Sequence, residues 1–191
     1  MIVLTPADYQ TSAWSGGTTT QLAIAPAGAV YADRDFLWRV SSAAVELAEP
    51  DFTLLPDYIR LISTLEGEID LSHNGGDELH LRPLEIHRFD GADHTHSCGL
   101  CTDFNLMLRK GKADGTVVSF RTDGKPQLLT FERGWTTVLI YCVSGSVTAE
   151  QGQERAVLQA GLTAICETPD ALRLLVGNEP ACFLVCKIRC N

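Results

Sequence analysis

The sequence has no long apolar run and few basic residues. Of its 191 residues, 15 are Lys or Arg and 24 are Asp or Glu, so the formal net charge is −9. No stretch approaches the roughly 18 apolar residues that a membrane span requires, and residues 1–10 lack the basic start and apolar run of a signal peptide. Phosphate binding requires clustered Lys and Arg. We therefore expect a cytoplasmic protein that binds neither nucleic acid nor membrane.

The cysteine content does not fit a disulfide scaffold. Seven cysteines is an odd number, and 45% hydrophobic residues is enough for a chain of this length to bury a core of its own. Disulfide scaffolds are typical of small secreted domains that lack such a core. We expect reduced thiols, several of them buried as small hydrophobic side chains.

Helical patterning is also lacking. The best helical candidate, residues 41–47, is too short to carry a fold. Short runs in which apolar residues alternate with other residues recur instead, as in residues 59–65. The turn dipeptides Asn74-Gly75, Asp114-Gly115 and Asp123-Gly124 separate such runs. This pattern predicts an all-β protein.

The two halves of the chain resemble each other at an offset of about 77 residues. Residues 65–71 (LEGEIDL) align with residues 143–149 (VSGSVTA), and residues 104–108 align with residues 183–187. Two copies of this pattern suit two jelly-roll-like barrels. We predict one compact unit, 1–191, built from halves 1–110 and 111–191, with the boundary in the polar stretch 110–125.

Three motifs in this order resemble the HutD/Ves family: WSGGTTT at residues 14–20, FLWRVS at residues 36–41 and DFNLM at residues 103–107. The resemblance is close over residues 14–109. It implies a double-cupin fold of RmlC-like jelly-roll barrels and an association with histidine utilisation. It brings no established catalytic activity and no cofactor, so we favour a binding protein over an enzyme. The family often has an acidic residue where this chain has Gln21.

Polar residues on predicted strands are the candidate ligand contacts. Arg39 and Arg60 stand among apolar residues, and a guanidinium grips a carboxylate through two parallel hydrogen bonds. Asp103 and Asn105 share one strand face and could line a barrel mouth. Either arginine could instead lie on the surface, and the polar face could be solvated. With Ser41, these residues predict a pocket for a small anionic, carboxylate-bearing metabolite.

The segment at residues 14–20 supplies two glycines followed by hydroxyl side chains. One interpretation is a loop of backbone donors over the pocket, which would add Trp14, Gly17 and Thr18 to the site. The other is a strand-entry turn with a buried Trp14. The segment lacks the Lys-Ser/Thr ending of a phosphate-binding loop.

A metal site is the alternative chemistry. His94 and His96 have the two-residue spacing of cupin metal ligands, and with His87 or Asp103 they could serve a metal-dependent dioxygenase or isomerase. Joined to Cys98 and Cys101, they could instead form a zinc site. The two cysteines could also be a redox pair or lie in a surface turn. We expect no metal. A further alternative is a structural module that assembles as a homodimer.

Overall fold

The computed structural model describes residues 1–131, 134–169 and 172–191, which contain eighteen β-strands and two short 3-10 turns. The strands are β1 Ile2–Leu4, β2 Gln10–Trp14, β3 Gly17–Ala25, β4 Trp38–Val45, β5 Tyr58–Glu66, β6 Ile69–His73, β7 Leu79–Leu81, β8 His87–Asp90, β9 Thr95–Cys98, β10 Cys101–Arg109, β11 Ala113–Thr122, β12 Gln127–Thr130, β13 Thr137–Ser144, β14 Ser146–Gln151, β15 Glu154–Gln159, β16 Thr163–Glu167, β17 Arg173–Val176 and β18 Ala181–Cys190. The 3-10 turns are Pro6–Asp8 and Tyr31–Asp33. The all-β prediction is confirmed.

The chain divides into two units. The N-terminal unit comprises Tyr9–Asp114, and the C-terminal unit comprises Gly115–Asn191 together with Met1–Asp8. Residues 1–8 therefore belong to the C-terminal unit, whereas the division made from the sequence placed them in the first half. The reason is that β1 pairs with β16, with Ile2 opposite Ile165.

The N-terminal unit has two sheets. One has six strands in the order β2-β3-β4-β10-β5-β8, and the other has three in the order β7-β6-β9. The β6–β7 hairpin turns where the sequence indicated, at Asn74 and Gly75. Both residues have positive φ angles, 55° and 70°, as the favoured two-residue hairpin turn requires.

The C-terminal unit repeats much of this topology. Its sheets have the orders β1-β16-β13-β18-β11 and β12-β17-β14-β15. The run β16-β13-β18-β11 corresponds to β8-β5-β10-β4, and β15-β14-β17 corresponds to β7-β6-β9. The internal similarity in the sequence thus reflects a shared strand order.

Two details differ from the sequence-based predictions. The dipeptide Asp114-Gly115 lies inside β11, so the turn predicted there is wrong, and most of the polar stretch 110–125 is strand. The last strands of the two units are also offset by one residue from the predicted alignment. Asp103 lies opposite Thr64 next to a bulge, and Phe183 occupies the equivalent place opposite Cys142.

Each unit buries its own apolar clusters. One cluster of the N-terminal unit includes Ile62, Ile69 and Leu71, all at most 2% exposed. The C-terminal unit has a larger apolar cluster that includes Val138, Ile140 and Phe183. Burying side chains of this size contributes about 1.5–3 kcal/mol each. All seven cysteines are free thiols, as expected, and five of them are buried. No helix in the described part of the chain is long and apolar enough to cross a membrane.

Candidate functional site

A cavity of about 220 Å³ lies in the N-terminal unit, against one face of the six-stranded sheet. This volume corresponds to roughly seven water molecules at about 30 Å³ each, so it suits a small metabolite. Side chains of β2, β3, β4, β5 and β10 and of the segments before β4 and β5 line the cavity: Ser12, Trp14, Thr19, Tyr31, Arg39, Ser41, Ala43, Val45, Asp51, Phe52, Thr53, Arg60, Asp103, Asn105 and Met107.

The strand register explains why these residues meet. In β10, Met107 lies opposite Arg39 of β4 on one side and Arg60 of β5 on the other. Two residues along β10, Asn105 lies opposite Ser41 and Ile62. Side chains two residues apart in a strand point to the same face. The alternation places the polar side chains on the cavity face, while Phe104 and Leu106 point to the other face, where they are also fully buried.

Arg39 is buried at the cavity wall, with only 5% of the residue exposed. Its Nε donates to Oε1 of Gln21 at 2.8 Å, and its Nη1 donates to Oγ of Ser41 at 3.1 Å. The guanidinium carbon lies 4.2 Å from the centre of the Tyr31 ring. Burial lowers the pKa of this guanidinium below its usual value. The partners are neutral, so the positive charge remains available to an anion.

Arg60 is the second buried cation. Its guanidinium carbon lies 4.9 Å from the ring centre of Phe52 and 5.1 Å from that of Phe89. Nη1 reaches the carbonyl oxygen of Thr53 at 3.5 Å, and Nε is buried with no hydrogen-bond partner in the structure. Burial lowers its pKa to about 10, so Arg60 is still protonated at neutral pH.

Asp103 places a carboxyl group on the same cavity face. The backbone N–H of Ala43 donates to its Oδ1 at 2.8 Å. Burial raises the pKa of this carboxyl to about 6, against the opposing effects of the Ala43 hydrogen bond and the charges of Arg60 and Arg39. No guanidinium nitrogen of Arg39 or Arg60 lies within 4.0 Å of a carboxyl oxygen of Asp103, so neither arginine forms an ion pair with it.

Asn105 is the most unusual side chain of the cavity. It is 2% exposed, and neither its Oδ1 nor its Nδ2 has a hydrogen-bond partner in the structure. A buried polar group without a partner costs about 1–3 kcal/mol. An amide on a cavity wall can both donate to and accept from a bound molecule. Asn105 therefore marks the cavity as a place for a polar ligand.

The structure gathers six of the eight sequence-predicted ligand residues around the cavity. They are Trp14, Arg39, Ser41, Arg60, Asp103 and Asn105. Gly17 and Thr18 are not in the lining, whereas Thr19 is. Strand alternation turns Thr18 away from the face that Thr19 and Gln21 share. Gly17 has a backbone role, because its φ is 145° and a Cβ there would lie 2.0 Å from the carbonyl oxygen of Ala44.

Trp14 differs from the strand-entry interpretation, which predicted a buried ring. It is 39% exposed and lines the cavity. Tyr31 and Phe52 were not predicted to support the two arginines, because they contact them only through the tertiary fold. Gln21 was noted only as the position where the family often has an acidic residue, and its hydrogen bond to Arg39 was not predicted.

The structure does not assemble the proposed metal ligands. His94, His96 and Cys98 are exposed, whereas Cys101 is buried. His96 Nδ1 lies 3.0 Å from Oδ1 of Asp51. Within residues 1–131, 134–169 and 172–191, no three His, Cys, Asp or Glu side chains are grouped to hold a metal ion. Among these residues, no third ligand accompanies His94 and His96 at the alternative metal site.

Two histidines, His73 and His87, contact each other and the Phe89 ring that lies next to Arg60. Nε2 of His73 is 2.8 Å from Nε2 of His87, and Nδ1 of His73 is 2.9 Å from Oγ1 of Thr95. The His87 ring stacks on Phe89, the ring that contacts Arg60, and the His73 ring is tilted against Phe89. Burial, and then the neighbouring His73, lowers the pKa of His87. The pair therefore favours a neutral His87.

Comparison with known proteins supports the fold and the family. A HutD family model matches residues 6–184. A conserved protein of unknown function from Pseudomonas aeruginosa superposes with a TM-score of 0.83 at 26% identity, over 98% of both chains. HutD from Pseudomonas fluorescens gives a TM-score of 0.76 at 22% identity, over 100% of this chain and 98% of that one.

Cupins share the fold at much lower identity. Oxalate decarboxylase from Lactobacillus farciminis superposes with a TM-score of 0.68 at 9% identity, over 98% of this chain and 86% of that one. This confirms the cupin-like β fold expected from the sequence. A search of curated proteins found no match. Because the HutD model spans nearly the whole sequence, the chain belongs to the HutD family.

Proposed function

We propose that the cavity of the N-terminal unit binds a small metabolite through its carboxylate, and that the protein acts by binding rather than by catalysis. The observation that carries this proposal is that two buried guanidiniums, those of Arg39 and Arg60, lie on the same cavity face as the Asn105 amide, which has no hydrogen-bond partner. Buried charges are stable only when they are paired or hydrogen-bonded. Asp103 offers one negative charge to the two arginines, and a ligand carboxylate would supply the second.

The surroundings of the arginines favour recognition of an anion. Both guanidiniums lie over aromatic rings, which hold the planar groups in place without neutralising them. Hydrogen bonds between a guanidinium and a carboxylate are short, strong and directional. Because the side chains are already fixed by Gln21, Ser41 and Thr53, little conformational entropy is lost on binding.

The proposal extends to a physiological setting. Membership of the HutD family supports a role in regulating histidine utilisation, with the bound metabolite as the signal. We place the protein in the cytoplasm, where its seven thiols would stay reduced. Histidine, urocanate and glutamate each carry a carboxylate and are the first ligands to test.

Isothermal titration calorimetry with these three compounds and acetate tests the proposal. We expect at least one to bind the wild type with a Kd of about 1 mM or tighter. Arg39→Ala should weaken that binding by about 10- to 100-fold, because a hydrogen bond to a charged group contributes about 1.5–3 kcal/mol. Arg82→Ala, which removes an exposed arginine outside the cavity, is the matched control.

The outcomes separate the two parts of the proposal. If no carboxylate binds, or if both variants lose affinity equally, the cavity is not the binding site. If acetate binds through Arg39 but the three metabolites bind no better than acetate, the link to histidine utilisation is wrong and the carboxylate site remains.

A further inference from the structure

We propose that the ligand of this cavity carries a second group, a cationic nitrogen that donates hydrogen bonds to Asp103, so that the site recognises a small amino acid by both of its charged ends. This inference rests on the proposed carboxylate site at Arg39 and Arg60. It adds the opposite pole and an approximate spacing of the two poles, inferred from the residues that hold them.

The first observation is a separation of buried charges. Asp103, Arg39 and Arg60 are each at most 8% exposed and line one cavity, yet no guanidinium nitrogen lies within 4.0 Å of the Asp103 carboxylate. Buried opposite charges normally pair directly, because an isolated buried charge is costly. Here all three line the same cavity, which suits a molecule that meets each charge with its opposite.

The second observation concerns the oxygens of Asp103. Oδ1 accepts the backbone N–H of Ala43 at 2.8 Å, and the carboxyl group lines the cavity. The Asp103 carboxyl still carries charge at neutral pH, since its pKa is about 6. A ligand ammonium would supply hydrogen-bond donors and a positive counter-charge together. A purely aliphatic carboxylate would instead place methyl groups against an ionised oxygen.

The third observation is the spacing along β4 of the residues that hold the two poles. Arg39 is fixed by Ser41, and Asp103 is fixed by Ala43, two residues further along β4. Two residues of a strand span roughly 6.6 Å. A carboxylate and an amine separated by three or four methylene groups cover a similar length. Asn105, in the β10 position opposite Ser41, lies between the poles with its amide free for either end.

Calorimetry with matched pairs of small molecules tests this inference at pH 7.5. The amino acids are glycine, β-alanine, γ-aminobutyrate and 5-aminovalerate. Each is compared with the fatty acid in which a methyl group replaces the amine: propionate, butyrate, valerate and hexanoate. We expect γ-aminobutyrate or 5-aminovalerate to bind at least ten-fold more tightly than its methyl counterpart.

Variants locate the effect on Asp103. Asp103→Asn keeps an oxygen for the Ala43 N–H, so the fold should be retained, but it removes the negative charge. We expect it to abolish the preference for the amine while leaving the methyl counterpart bound as tightly as before or more tightly. Asp123→Asn, on an exposed turn outside the cavity, should behave like the wild type.

Failure of this inference is distinguishable from failure of the proposed function. If fatty acids bind through Arg39 but amino acids bind equally or more weakly, the second pole is wrong and the carboxylate site stands. The wild-type comparison decides this even if Asp103→Asn does not fold. If neither series nor any other carboxylate binds, both conclusions fall.

Discussion

Asn105 and Val185 occupy equivalent places in the two units. Asn105 of β10 lies opposite Ile62 of β5, and Val185 of β18 lies opposite Ile140 of β13. Next to them, Asp103 corresponds to Phe183 and Arg60 corresponds to Val138. The C-terminal unit therefore fills with apolar side chains the positions that carry the polar groups of the N-terminal cavity.

This equivalence gives a first prediction, for Asn105→Val. The substitution installs the residue of the apolar unit and removes two unpartnered polar atoms. We expect the free energy of unfolding to rise by about 1 kcal/mol and carboxylate binding to weaken at least ten-fold. Urea unfolding and calorimetry measure the two effects. Val185→Asn should destabilise the protein, and a destabilising Asn105→Val would show that the amide has a partner in the free protein.

A second prediction concerns Asp103 and pH. Its pKa is about 6 in the folded protein and 3.8 in the unfolded chain, so the folded state holds the proton more tightly. Between these values stability falls as pH rises, and above pH 6 the full cost of about 3 kcal/mol is present. Asp103→Asn removes this cost.

The test is the difference in the free energy of unfolding between Asp103→Asn and the wild type. Urea unfolding at several pH values from 4 to 8 measures this difference. The variant should gain relative to the wild type as pH rises through this window. Arg60, Arg39 and the Ala43 N–H are the groups that oppose the shift. A difference that does not change with pH would mean that Asp103 titrates normally.

Gln21 is a neutral hydrogen-bond partner of Arg39, so the positive charge of the site is retained. Its Oε1 accepts from Nε of Arg39 at 2.8 Å without neutralising the guanidinium. Gln21→Glu would place a carboxylate there and compete with the ligand for the positive charge. We expect acetate affinity to fall about ten-fold, equivalent to 1.4 kcal/mol. Gln127→Glu, an exposed position of β12, adds the same charge outside the cavity and should have little effect; an equal loss in both would indicate a general electrostatic effect.

The histidine pair predicts the opposite pH dependence to Asp103. Burial and His73 lower the folded pKa of His87 below 6.5, so as pH falls the unfolded chain takes up a proton before the folded protein does. Stability contributed by neutral His87 is therefore lost as pH decreases below about 6.5. In an Asp103→Asn background, His87→Phe should flatten the fall in melting temperature between pH 7 and pH 5. An unchanged slope would assign the acid sensitivity to other groups.

The sequence predicted the fold well because period-2 alternation and glycine turns are local signals. The turn at Asn74 and Gly75 is one such signal, and it is present in the structure. The one-residue offset between Phe104 and Phe183 could not be predicted, because apolar strands can be aligned in more than one register. Both units have a bulge at the equivalent place, and the segment from Thr64 to Asp103 is two residues shorter than the segment from Cys142 to Phe183.

The candidate site was predictable only in part. Arg39 and Asn105 stood out as polar residues within apolar strands. The structure has Thr19 in the cavity lining in place of Thr18. Which of the two faces the cavity depends on the alternation of the strand, which the sequence does not fix. Tyr31 and Phe52 could not be found, since they meet the arginines only through tertiary contacts.

The central claim is that a carboxylate occupies the space next to Arg39 and Arg60. A crystal structure of the protein soaked in formate, compared with a formate-free crystal of the same form, tests it most directly. Formate is the simplest carboxylate and should enter a cavity of about 220 Å³ without rearrangement. The account predicts planar three-atom density within hydrogen-bonding distance of both guanidiniums. Water-like density in that space in both crystals would contradict it.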